Sequence, residues 1–225
     1  MKKTLLALLL ISSAATLFAA QPRLVKYNVP AKSVTSIETS EAICVEYTQG
    51  TTTSVTVVTP EDLKDKLNVK VTNGQLTASY KNSIRRKQKN QNQVKVLVTA
   101  PVVINFDASS AGSIKIIGDL TLPGRNIDIE VSSAASFSAQ SIKCSDLDIE
   151  ASSAASAKIA ACKVNELEVE SSSAASILVS GIDAINIKGE SSSAASLKLA
   201  GKCMKASLSK HSAGSLNTSN LTVGR

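Results

Sequence analysis

NIDIEVSSAASFSAQSIKCSDLDIEASSAASAKIA, residues 126–160, decides the fold. A block of small residues, SSAAS, stands at 132–136 and again at 152–156, and each copy follows a strict alternation of apolar and acidic side chains. Working outward, the block recurs as SSAGS at 109–113, SSAAS at 172–176 and 192–196, and HSAGS at 211–215, with spacings of 23, 20, 20, 20 and 19 residues. Self-similarity at about twenty residues marks a solenoid. The Leu and Asn phases of leucine-rich repeats are missing, and helical repeats need longer units with a 3.6-residue period. Here the period is two on both sides of the block, before it in NIDIEV, DLDIEA and ELEVES, and after it in SAKIA, SILVS and SLKLA. That predicts two short strands per coil around a small-residue corner, and stacked coils forming parallel sheets with strands ~4.8 Å apart. The expected fold class is all-β, a parallel β-helix (β-solenoid) with ~20-residue coils.

Phase also predicts the core. Ile127, Ile129 and Val131, Leu147, Ile149 and Ala151, and Leu167 and Val169 precede the corners at inward positions. Phe137 and Ala139, Ala157 and Ile159, Ile177 and Val179, and Leu197 and Leu199 follow them. These aliphatic columns replace the aromatic core that a chain with no Trp, three Tyr and three Phe cannot build. At the corners, stacked serine hydroxyls are expected to form a hydrogen-bonded ladder. A serine-nucleophile reading lacks a histidine partner, because His211 is the only histidine.

Residues 1–20 read as a signal peptide, with Lys2 and Lys3, an apolar run from Leu5 to Ile11, and a small-residue tail to Ala20. The first cysteine is Cys44, so nothing supports a lipoprotein anchor, and no later stretch is apolar enough to span a membrane. The expected location is periplasmic or secreted, with one domain over 21–225. Residues 21–100 form its irregular N-terminal β section and 101–225 its regular coils. The irregular section reads as strands around 33–37, 43–47, 54–58, 67–71, 75–80 and 94–99. Asn73-Gly74 signals a hairpin, and Pro60-Glu61-Asp62-Leu63 opens a helical turn. Charge divides unevenly, with 12 basic and 6 acidic residues over 21–100 against 11 and 12 over 101–225. Nucleic acid is a poor partner for an exported chain with so few aromatics to stack bases.

The order of features SVTSIETSEAICVEYTQG (33–50), VTVVTPEDLKDKLNVKVTNGQLTASY (55–80), VKVLVTAPVVINFDASSAGSI (94–114) and the successive SSAAS rungs resembles the putative auto-transporter adhesin, head GIN domain family of exported bacterial proteins. The resemblance covers nearly the whole chain after residue 20. It implies a parallel β-helix-like fold and an adhesin-like role, and carries over no catalytic residue. Ser-Ala-Ala stands here where that family often shows Gly-Ala-Ser corners.

Polar patterning supplies the candidate surfaces. Asp107, Asp128, Glu130, Asp146, Asp148, Glu150, Glu166, Glu168, Glu170 and Glu190 fall at outward positions before the corners, ten of the eighteen acids on one face. Three readings stay open: a solvated face, a Ca²⁺-binding face, and contact with a basic partner. Lys115, Lys158 and Lys198 share one phase beyond the corner, and Lys143 and Lys163 another, which reads as ordinary surface charge or as a basis for lateral self-association. Arg85, Arg86, Lys87 and Lys89 form the densest basic cluster, in an exposed loop that reads as a solvated charge run first, with anionic glycans, phosphorylated lipid surfaces or a partner as the other readings. Cys144 shares its phase with Val164, Ala184 and Met204, and Cys162 with Ile142 and Ile182. Buried free thiols and a Cys144–Cys162 bridge both fit that placement. No cofactor or metal site is expected. The function expected is a non-enzymatic, adhesin-like binding protein of the envelope or exterior, whose partner is a cell-surface glycan or protein, with homo-oligomerisation left open. A polysaccharide-active β-helix enzyme and a self-assembling structural protein are the competing readings.

Overall fold

The computed structural model describes residues 23–81 and 94–224. The signal segment and Arg85, Arg86, Lys87 and Lys89 therefore lie outside the described residues. Fifteen strands follow in order: β1 (Leu24–Asn28), β2 (Ser36–Thr39), β3 (Cys44–Gln49), β4 (Ser54–Pro60), β5 (Leu67–Thr72), β6 (Gln75–Tyr80), β7 (Lys95–Ala100), β8 (Asn105–Ala108), β9 (Ser113–Ile116), β10 (Asp119–Val131), β11 (Ser136–Ala151), β12 (Ser156–Ser171), β13 (Ser176–Ser191), β14 (Ser196–Lys210) and β15 (Ser215–Val223). A 3-10 helix, Glu61–Lys66, links β4 to β5.

From β10 onward every pairing is parallel, and equivalent repeat positions face each other: Ile129, Ile149 and Val169 form one column, and Ala157, Ile177 and Leu197 another. All sixteen core residues expected from phase are buried. Each coil has three sides, however, where the sequence pattern predicts two strands. In β12 the buried positions are 157 and 159, then 162 and 164, then 167, 169 and 171. The alternation slips at 160–161 and again at 165–166, placing two successive side chains outward at each slip. Each slip marks a bend, giving a second side after the small-residue corner, a short third side, and a first side that leads back to the next corner.

The corner itself is a backbone device. In each SSAA block the second and third residues have positive φ, as in Ser153 (54°) and Ala154 (62°). The fourth residue's N–H donates to the first residue's C=O, as in Ala155 to Ser152 at 3.1 Å. Two positive φ values closed by that bond describe a type I′ turn. The turns also bond to one another: Ala134 N–H donates to Ser153 O, Ala154 to Ser173 O and Ala174 to Ser193 O at 3.0–3.1 Å. The ladder at this edge is therefore peptide to peptide, and the expected serine hydroxyl ladder is not what builds it. Hydroxyls act one residue earlier, where the buried Ser171, Ser191 and Thr39 donate across the turn to Ala175, Ala195 and Ile43 O.

The N-terminal section enters the same stack out of chain order. β2 and β3 flank a turn of identical type at Ser40–Ile43, with Glu41 and Ala42 at positive φ. This first coil lies between β6 and β8 on one side and between β7 and β9 on the other, all parallel. Antiparallel additions finish the N-terminal end: β5 on β6, β4 on β7 and β1 on β4. The β5–β6 hairpin turns at Asn73 (φ 50°) and Gly74 (φ 81°), as the Asn-Gly pair predicts. Leu63, fully buried in the 3-10 helix, belongs to the same core.

Candidate functional site: an acidic ladder

The first side of the coil carries the acidic residues because its outward positions alternate with core positions three times before each corner. Parallel register then stacks equal positions. Glu38, Asp107, Glu130, Glu150, Glu170 and Glu190 face one another rung by rung, six carboxylates in one column. A second column runs Ser36, Asn105, Asp128, Asp148, Glu168 and Lys188. A third runs Asn126, Asp146, Glu166, Asn186 and Lys205. All ten acids expected on one face are on it, and adjacent rungs are ~4.8 Å apart.

Cations enter only at one end. Lys188 pairs with Glu166 at 2.5 Å and with Glu168 at 3.7 Å. Among the described residues, no cation pairs with any of the six carboxylates in the first column. Glu38 instead accepts a hydrogen bond from Gln75 Nε2 at 2.8 Å. The repulsion shows in protonation. Burial pushes the Asp148 carboxyl up to about 6, aided by Glu150, Glu168, Asp128 and Glu170 around it. One Asp148 oxygen is buried without a hydrogen-bond partner. Burial, with Glu130 and Glu38, raises Asp107, and burial, with Glu150, Glu190 and Glu168, raises Glu170.

The surface between these columns is shallow. A groove of about 420 Å³ runs past Ser36, Gln75, Asn105, Asp107, Asp128 and Asp148. A narrower one, about 90 Å³, lies between Glu130, Glu150, Glu170 and Glu190 and the corner serines 152, 172 and 192. Among the described residues, no three His, Cys, Asp or Glu side chains converge as a metal centre needs. The ladder lays its carboxylates along a line instead of around a point.

Glu38 escapes the sequence reading. Its coil, SIETSEAI, carries the same grammar of strand, small-residue turn and strand, but a long excursion separates it from the next copy at 109. The expected lysine phases are real columns of a different kind. Lys115, Lys158 and Lys198 share the second side, interrupted by Ser138 and Leu178. Lys143 and Lys163 are adjacent on the third side, and Asp183 follows, bridging Lys163 at 3.4 Å and Lys202 at 3.5 Å. All four cysteines are free thiols, Cys162 and Cys203 buried, and burial pushes Cys144 and Cys162 up to about 12. The shared phase of Cys144 and Met204 fails. The last full coil is one residue shorter, Ala184 faces Cys203, and Met204 is 53% exposed. His211 is the first residue of the seventh corner turn.

Among solved structures, this fold is similar to a putative adhesin from Bacteroides fragilis, with TM-score 0.70 and 20% identity over 88% of this chain and 98% of that one. A putative adhesin from Parabacteroides merdae matches with TM-score 0.63 and 14% identity over 89% and 95%. A putative lipid binding protein from Parabacteroides distasonis gives TM-score 0.63 and 16% identity over 89% and 97%. At these identities the likeness establishes the fold alone. No match was found to a curated protein. The sequence profile of one family spans residues 34–186, from the first coil to the start of the sixth side-one strand of the ladder, and the chain belongs to that family, the putative auto-transporter adhesin, head GIN domain.

Proposed function

We propose that the protein is a non-enzymatic, exported binding protein of adhesin-like type, acting at the cell envelope or outside the cell, with the acidic ladder as its contact surface. The observation that carries this reading is the column of six in-register carboxylates that no cation among the described residues pairs with. Fixed like charges ~4.8 Å apart create a focused negative potential. An extended, positively charged partner, either a glycan bearing amino groups or a basic protein segment, relieves that potential along several rungs at once. Family membership supports the adhesin-like class. Coils from Ser132 onward turn at tight small-residue corners and expose only shallow surfaces, which supports a recognition platform over a deep catalytic groove.

The test is a glycan array, with a lysine-rich peptide beside it, probed with the chain from Gln21 onward and with its Glu130→Gln/Glu150→Gln/Glu170→Gln variant. Saturable binding that weakens with salt and falls at least tenfold in the variant is the expected result. Binding untouched by the variant overturns the ladder as the contact surface. Release of product from any glycan overturns the non-enzymatic class. Runs with Ca²⁺ and with chelator should agree, because the carboxylates do not converge on a point.

A further inference from the structure

The two ends of the stack are built differently. At the N-terminal end the outermost strands, β1 and β5, each carry an exposed lysine, Lys26 and Lys70, and Leu63 completes the core. Lysine on an edge strand discourages further pairing. At the C-terminal end the outermost strand, β15, is SLNTSNLTV, nine residues without a charge or a proline. It pairs with β14 alone, so its other edge presents unpaired N–H and C=O groups. The core also opens here. Ala206, Leu208, Leu216 and Leu221 are the last members of the inward columns and are only partly buried. Val223, stacked on the fully buried Cys203, is 52% exposed. Solenoids require a polar cap over their terminal coil. Among the described residues this end has none.

We propose that this end is a dimerisation surface, closed by the same end of a second copy. A partner must offer an unpaired, uncharged strand edge and an open apolar core end together, and the surface on this molecule that offers both is this one. Antiparallel pairing of β15 with its copy satisfies both edges, sets no charged side chain opposite its like, and lets the terminal leucines cover one another. Because the contact is isologous, it closes at two copies. The lysine-bearing N-terminal edges block continued growth. Lys205 and Lys210 rim the joined ends without acidic partners from residues 201–224, so added salt strengthens the dimer. An end one coil wide falls at or below the ~800 Å² per partner of a standard interface, the size of a reversible contact that dilution should separate.

Sedimentation from 1 to 200 μM tests this directly, using the chain from Gln21 onward. The expected result is one chain mass at the dilute end and twice that mass at the concentrated end, with the transition moving to lower concentration in 0.5 M NaCl. Asn217→Lys/Thr222→Lys puts new charges on the outward face of the edge strand, and this variant should remain at one chain mass with unchanged circular dichroism. Hydrogen exchange on the unmodified chain gives a second readout, with amides of residues 215–223 slowing as concentration rises. A single chain mass at 200 μM, a dimer indifferent to the double variant that still folds, growth beyond two copies, or exchange independent of concentration would each overturn the proposal.

Discussion

Replacing Asp148 by Asn should stabilise the protein at neutral pH and leave it unchanged in acid. Asp148 stands in the middle column between Asp128 and Glu168, with one oxygen buried and unpartnered. Its carboxyl is raised from 3.8 to about 6, chiefly by burial and then by Glu150 and Glu168. Between those two values the folded chain holds a proton that the unfolded chain has released. Stability therefore falls as pH rises through the window, so the protein is more stable near pH 4 than at pH 7.5. A two-unit shift corresponds to about 3 kcal/mol. Half-burial leaves the group partly screened by solvent, which halves this to ~1.5 kcal/mol. The amide removes the ionisation, and its N–H₂ can donate to a neighbouring carboxylate.

Urea titration at low ionic strength measures the effect, because guanidinium would screen the charges under study. At pH 7.5 the variant's midpoint should rise by the equivalent of ~1.5 kcal/mol with an unchanged slope, or about 3–6 °C in Tm. At pH 4 the two midpoints should coincide, and 0.5 M NaCl should shrink the neutral-pH gap. A gap of equal size at both pH values would refute the electrostatic account, as would a variant less stable than the parent at pH 7.5. Asp107 and Glu170, raised for the same reasons, add slopes of the same sign.

Corner turns give a second test: Ala174 sits at φ 62°, where a β-branched side chain clashes, so Ala174→Val should cost about 2 kcal/mol in urea unfolding. Ala174→Gly, free of that clash, should hold or exceed the parent stability. At the corresponding bend of β14, Gly201 has φ 136° and a Cβ there would overlap the backbone of Ile182. Gly201→Ala should therefore lose about 3 kcal/mol, seen as a lowered Tm. Thiol titration of unreduced, denatured protein should count four cysteines, whereas a Cys144–Cys162 bridge would give two. In the native state at pH 8 the buried Cys162 and Cys203 should react slowest.

Parity and period were readable because each coil repeats the same two demands, alternate burial and a tight corner. The columns from Ile127 to Leu199 follow from counting alone. The third side was not readable: its bends are outward doublets such as Gln140-Ser141, Ala160-Ala161 and Ser180-Gly181, in which neither position keeps its residue type, so they look like noise in the alternation. The corner's left-handed backbone was hidden for a related reason. Asn73-Gly74 announces positive φ because both residues tolerate it, whereas Ser-Ala does not, and here the peptide bonds between stacked turns hold it in place. The displacement of Met204 by Cys203 turns on one missing residue in a coil, invisible until the register is drawn. Glu38 was masked by chain order, since its coil is first in sequence but lies inside the stack.

The same fold places like charges on all three sides, yet only one becomes dense. On the second side Lys115, Lys158 and Lys198 are separated by uncharged rungs where they are interrupted by Ser138 and Leu178, and at ~9.6 Å, two strand spacings, their repulsion is largely screened. On the third side Asp183 bridges two lysines and cancels part of their charge. The first side alone stacks acid on acid without interruption from Glu38 to Glu190, and it bears the cost in the raised carboxyls of Asp107, Asp148 and Glu170. A surface that destabilises its own fold in this way gains stability from whatever neutralises it, and because the charges lie in a line, that gain grows with the number of rungs a partner spans.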